Sequence, residues 1–253
     1  MIARPHENDA PSLGLVLVEA LVFWLRNQGM FWLTALPIAG LAGGIAYVLE
    51  ANRALIDWRH HWGWEFLFAL VYALFLNRWI KEALLEDASP CDEVSELRGS
   101  AIALRFLIFA AALGLLATAL TSMPLVEPGA VLWTAAACLF ALMLPSLTAG
   151  EPLSLHGAFV LGRPLQIHLF LLIGGAVALS VLADAGLAWG VGHLSGKPWS
   201  AAAVAAAHRL VDCLSLAFVG HGLATIFRQL TGWQQPEPDD HPFRGVRLRA
   251  RKA

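Results

Sequence analysis

Long apolar runs restrict this chain more than any motif in it. A bilayer's hydrocarbon core is about 30 Å thick, and a helix rising about 1.5 Å per residue needs about 20 residues to cross it. Six stretches meet that length: residues 30–49, 64–84, 101–123, 130–149, 165–187 with an extension to 193, and 200–227. Residues 13–25 are too short to span, carry Glu19 and end on Arg26 and Asn27, which predicts an interfacial helix ahead of the first crossing. Composition agrees. Of 253 residues, 14% are charged and 58% hydrophobic, against about 25% and 45–50% in soluble domains. The expected fold is an all-α integral membrane protein of about six transmembrane helices plus that amino-terminal interfacial helix. Residues 1–29 form the cytoplasmic amino terminus and interfacial helix, 30–229 the transmembrane domain and 230–253 a cytoplasmic basic tail.

Lysine and arginine are retained on the cytoplasmic side of short connections. With six crossings and an inside amino terminus, thirteen basic residues fall inside: Arg4, Arg26, Arg78, Lys81, Arg98, Arg105, Arg163, Arg228, Arg244, Arg247, Arg249, Arg251 and Lys252. Three fall outside, Arg53, Arg59 and Lys197, and Arg209 lies within a span. Both termini are therefore expected in the cytoplasm, with the protein in a bacterial cytoplasmic (inner) membrane. The amino-terminal segment mixes charges of both signs and has no small-residue cleavage site, so no signal peptide is expected. Nine of the ten tryptophans lie near expected span ends, where an amphipathic ring suits the headgroup boundary.

Net charge is 17 minus 19, or −2, which argues against a nucleic-acid-seeking surface. Cys91, Cys138 and Cys213 are scattered and odd in number, so they form neither a disulfide framework nor a metal motif. His60, His61 and Glu65 sit together in an expected outer connection, but without closed metal-ligand spacing. No phosphate loop, nucleophile elbow or zincin pattern occurs. No catalytic residue, metal or cofactor is expected.

Small residues mark possible helix contacts. Gly40 with Gly44 and Gly186 with Gly190 have GxxxG spacing, and 201–207 is alanine except for Val204. These faces predict packing within the bundle or association with other membrane proteins or a second copy. Pro37 frees a carbonyl inside the first span and can kink it.

Between the fourth and fifth runs the chain reads LMLPSLTAGEPLSLHGAFVLGRPLQIHLF, residues 142–170. A span ends in Leu-Pro, a small-residue turn with Pro follows, and a short helix capped by Ser154 leads into the next span. This resembles a broad bacterial six-span membrane family of largely unassigned function, related to the membrane domain found beside some glycerophosphodiester phosphodiesterases. LTALPIAGLAGG, FLNRWIKEALLEDA and LATIFRQLTGW extend the likeness over nearly the whole chain. Phe159 and Phe227 depart from the aromatic residues usual there. The resemblance implies topology, not catalysis, because no phosphodiesterase domain is present.

The last span places His208, Arg209, Asp212 and Ser215 where apolar residues would be cheaper. His208, Asp212 and Ser215 fall within about 60° of one face. They line up along the axis instead of converging on a reacting atom, so they are no hydrolase triad. Arg209 can pair with Asp212 three residues on, with His208 or Ser215 bonding a neighbouring helix; the alternative is a proton relay, an ion passage or a headgroup niche. Asp184 is a further candidate partner for Arg209. In the tail, Arg244, Arg247, Arg249, Arg251 and Lys252 are candidate contacts for anionic lipids. The expected function is that of a non-enzymatic accessory, assembly or scaffolding component of a membrane complex. The alternatives are lipid or small-solute handling or, behind that, an intramembrane enzyme.

Overall fold

The computed structural model describes residues 12–52, 61–85, 104–114, 116, 126–191 and 197–233. Among these the chain is helical without a strand. In order the helices are α1 (Leu13–Arg26), α2 (Gln28–Ala51), α3 (His61–Leu84), α4 (Leu104–Gly114), α5 (Val126–Phe140), α6 (Met143–Thr148), α7 (Leu155–Gly162), α8 (Gln166–Val191) and α9 (Pro198–Thr231). A 3-10 turn, Arg163–Leu165, joins α7 to α8.

Four helical stretches among the described residues are long and apolar enough to cross a membrane: Gln28–Ala51, Val131–Thr148, Leu155–Leu187 and Pro198–Thr231. Two expected crossings fall short of that description. Helix α3 has the length, but Glu65, Arg78, Lys81 and Glu82 near its ends dilute its apolar content. Within the run expected at 101–123, α4 is a shorter apolar helix and much of the remainder lies outside the described residues. The run at 130–149 is broken: the helix ends at Phe140, and α6 restarts after a turn at Ala141 and Leu142.

Local chemistry accounts for the ends. Ser12 caps α1 by accepting from the Leu15 N–H at 3.2 Å, and Ser154 caps α7, as its sequence predicts, by accepting from the Gly157 N–H at 3.0 Å. The cap of α1's last turn is Asn27, whose amide nitrogen donates to the Phe23 carbonyl at 3.0 Å. Helix α9 starts on Pro198, where a missing N–H costs nothing, and stops at Gly232 in the left-handed region, φ 62°, whose N–H donates to the Arg228 carbonyl. Helix α2 continues unbroken through Pro37.

Helix α9 is the hub. Helices α2, α3, α8, α1 and α6 all pack on it. At 34 residues it is about 50 Å long, well beyond one bilayer core. Tyr72 meets Asp212 while Leu76 and Trp79 meet Gly220, so α3 runs parallel to α9. Ser180 meets Asp212 while Leu172 meets Gly222, so α8 runs antiparallel. The tightest packing lies around the carboxy-terminal half of α9. There Trp79 stacks on Phe75 with ring centroids at 5.8 Å and meets the edges of Phe23 and Phe31 at 5.4 and 6.1 Å. Residues from Val219 to Phe227 are all buried, and in the amino-terminal half Ala201–Ala207 is at most half-buried.

Glycine placement corrects the expected packing faces. A Cβ on Gly40, Gly44, Gly186 or Gly190 would meet nothing within 4 Å, so these positions do not hold the bundle together. The close approach falls on Gly43, where a Cβ would lie 3.1 Å from the Ala202 carbonyl oxygen and 3.5 Å from the Ala206 methyl. The alanine run of α9 does serve as a small-residue face, but its partner on α2 is one residue away from the GxxxG pair. Deeper in, Gly220 and Gly222 admit Leu76, Trp79 and Leu172 against α9.

Gly43→Leu should push α2 off α9 and lower stability by about 1–3 kcal/mol, whereas Gly40→Leu should leave it within about 0.5 kcal/mol. Denaturant unfolding in detergent followed by circular dichroism measures both; equal effects at the two positions would contradict this packing.

Candidate functional site

The polar residues of the last span gather around one carboxylate. Tyr72 on α3 donates its hydroxyl to Asp212 Oδ2 at 2.7 Å, and Ser180 on α8 donates to Oδ1 at 3.0 Å. Arg209 Nη1 donates to Oδ2 and to the Tyr72 oxygen, each at 3.4 Å. His208 Nε2 lies 3.2 Å from Oδ2. Asp212 therefore joins three helices through one side chain.

Helical spacing makes this possible. His208 and Asp212 are one turn apart, and Arg209 is three residues before Asp212, so both reach the same carboxylate. Arg209 also covers aromatic rings, with its guanidinium carbon 4.3 Å from the Phe68 centroid and 5.7 Å from that of Tyr72. Phe68 and Tyr72, four apart on α3, supply two faces of negative quadrupole to the cation. The charge pair is thus neutralised in place and flanked by aromatic surface. Side-chain exposure is 16% for Arg209, 16% for Asp212 and 26% for His208.

Three of the four residues singled out from sequence, His208, Arg209 and Asp212, are brought together. Ser215 is not part of the network: it is buried, and its hydroxyl has no hydrogen-bond partner among the described residues. Bonds to α3 and α8 are made by Asp212, whose two oxygens point to those helices. Arg209 pairs with Asp212 on its own helix and also reaches Tyr72 on α3, and the Asp184 side chain lies outside the described residues. Sequence reasoning missed Tyr72 and Ser180. The signal was present, since each puts a hydroxyl inside a long apolar run, but only the register of α3 and α8 against α9 identifies its partner.

His60 and the side chains of His61 and Glu65 lie outside the described residues, as do Arg244, Arg247, Arg249, Arg251 and Lys252. No group of three metal-ligating side chains occurs among the described residues. Cys138 and Cys213 are free and buried. A second polar link joins α3 to α6, where Thr148 donates to Asn77 Oδ1 at 3.3 Å.

Chemically, the Asp212 cluster suits adhesion between helices. The hydroxyls of Tyr72 and Ser180 donate to the carboxylate, and the Arg209 guanidinium sits against the oxygen that Tyr72 bonds.

Asp212→Ala should cost about 3–5 kcal/mol by stranding Arg209 in an apolar setting, and the double change Arg209→Met with Asp212→Leu should cost less. Tyr72→Phe should cost about 1.5–3 kcal/mol, for one bond to a charged acceptor. Yield in the membrane fraction and unfolding midpoints in detergent rank the three; a double variant worse than Asp212→Ala would refute the pairing.

Comparison with protein-family models, curated proteins and solved structures finds no match to this chain.

Proposed function

We propose that the protein is a non-enzymatic, multi-pass component of a bacterial cytoplasmic membrane that acts as an accessory, assembly or scaffolding subunit. It has six crossings, an amino-terminal interfacial helix and both termini in the cytoplasm, the topology of the six-span family its motifs resemble. The observation that carries the reading is the saturation of Asp212. Its oxygens are taken up by Tyr72, Ser180, Arg209 and His208, so the most chemically conspicuous group in the bundle binds the protein to itself.

Support also comes from the outer surfaces. Leu33, Leu36, Leu41 and Val48 on α2, and Ile167, Leu171, Val181 and Leu182 on α8, are exposed. Gly40, Gly44, Gly186 and Gly190 lie open on those two helices. In a bilayer, small residues among larger apolar ones let a second helix approach closely, so these faces suit another membrane protein or a second copy. The basic tail adds contact with anionic lipid, about 1 kcal/mol per residue near the headgroups, which salt should weaken.

The alternative, lipid or small-solute handling, is favoured by one observation. Arg209, Asp212 and His208 keep 16–26% exposure, and charged groups within spans characteristically face a bundle interior or a wet cavity. A transport role would make Arg209→Met with Asp212→Leu stable yet inactive.

Affinity isolation in mild detergent after cross-linking in the membrane should recover a defined membrane-protein partner or a second copy, and Gly40→Leu with Gly44→Leu should abolish it. Recovery of the chain alone under both conditions would overturn the scaffolding role. A reporter active only outside the cytoplasm, fused after Ala253, should stay silent; activity would mean an odd number of crossings.

A further inference from the structure

We infer that α1 lies in the plane of the membrane, seated in the cytoplasmic leaflet, and that the partner of its outward face is that leaflet's acyl chains. The inference rests on the membrane reading above and adds an orientation and a ligand surface to it.

Four sides of α1 differ in chemistry. At about 100° per residue, Val16, Ala20 and Phe23 share one side, and all three are buried. About a quarter turn away in one sense, Glu19 and Arg26 share an edge, seven residues apart. About a quarter turn away in the other sense come Leu17 and Leu21, and the side facing away from the protein carries Val18, Val22 and Leu25. These five apolar residues are exposed. A helix crossing the hydrocarbon gains nothing from a charged edge, and a helix in water gains nothing from two apolar sides. A helix at the boundary uses all four: one side for the protein, one for headgroups and two for lipid chains.

Depth supplies an independent argument. The pairings of Gly43 with Ala202 and Ala206, Tyr72 with Asp212, and Ser180 with Asp212 set the register of α2, α3 and α8 on α9. Carried outward, that register brings Tyr47, Trp64 and Trp189 to the first turns of α9, within about one and a half turns of Trp199, and all four rings are exposed. Such a ring of amphipathic aromatics marks a headgroup boundary. Helix α1 meets α9 at the other boundary: Phe23 lies 4.8 Å from the His221 ring, and Val16 comes against Gly222. From the aromatic level to His221 is about 20 residues, or about 30 Å, one hydrocarbon thickness. Val16 and Phe23 are about 10 Å apart along α1 yet land on adjacent residues of α9, so α1 lies across α9, not along it.

The test uses the full-length protein carrying Cys91→Ser, Cys138→Ala and Cys213→Ala, reconstituted in vesicles of phosphatidylethanolamine and phosphatidylglycerol. Nitroxide labels at Glu19→Cys, Leu21→Cys and Leu36→Cys are compared for collision with oxygen and with a water-soluble nickel chelate. Leu21 and Leu36 should favour oxygen and Glu19 should favour nickel, with a several-fold difference in the ratio. A nickel-favouring Leu21 beside an oxygen-favouring Leu36 would overturn the seating of α1. Oxygen preference at all three would make α1 a crossing helix and overturn it as well. Nickel preference at Leu36 would sink the membrane reading itself.

Discussion

A carboxylate placed among apolar helices has to be neutralised where it stands, and the bundle is arranged around that requirement at Asp212. Desolvating two ions costs several kcal/mol each, so pairing Arg209 with Asp212 along one helix is not enough. The hydroxyls of Tyr72 and Ser180 complete the shell, and each comes from a different helix. The electrostatic need of one side chain thereby sets the register of α3 and α8 on α9. Moving either hydroxyl one position along its helix would turn it about 100° away.

Packing does the rest at one end. Because lipid tails are as apolar as leucine, helices in a bilayer gain little from burying apolar surface and rely on close fit. Gly220 and Gly222 remove the side chains that would hold Leu76, Trp79 and Leu172 away from α9, and the aromatic group of Phe23, Phe31, Phe75 and Trp79 fills the space around them. At the other end the contact is backbone against glycine, between Ala202 and Gly43. The polar cluster separates a densely packed half from a loosely packed one.

Helical class was legible in the apolar runs, since length and hydrophobicity alone make α2, α8 and α9 long helices. The cap at Ser154 was legible too, because a hydroxyl before an apolar run satisfies a free N–H wherever it occurs. Contacts between helices were not. GxxxG spacing locates a small-residue face but not its neighbour, and the face that packs contains Gly43 instead of Gly40 and Gly44. Likewise the sequence isolated His208, Arg209 and Asp212 by their cost, but Tyr72 and Ser180 are ordinary residues until register brings them to the carboxylate. The break at Ala141 and Leu142 was hidden because apolar residues continue through it and α6 is buried against α3 and α9.

The hub position of α9 has a consequence for how the protein is made. It follows all the other described helices in the chain, yet α1, α2, α3 and α8 have their main contacts on it. During synthesis the earlier helices are made with Tyr72, Ser180 and Gly43 still lacking the surface they fit. Until α9 follows, α1, α2 and α3 lack their main packing surface. A chain halted before residue 198 therefore keeps the packing of α5 with α7 and α8 and of α3 with α6, but leaves α1, α2 and α3 without the helix that holds them together.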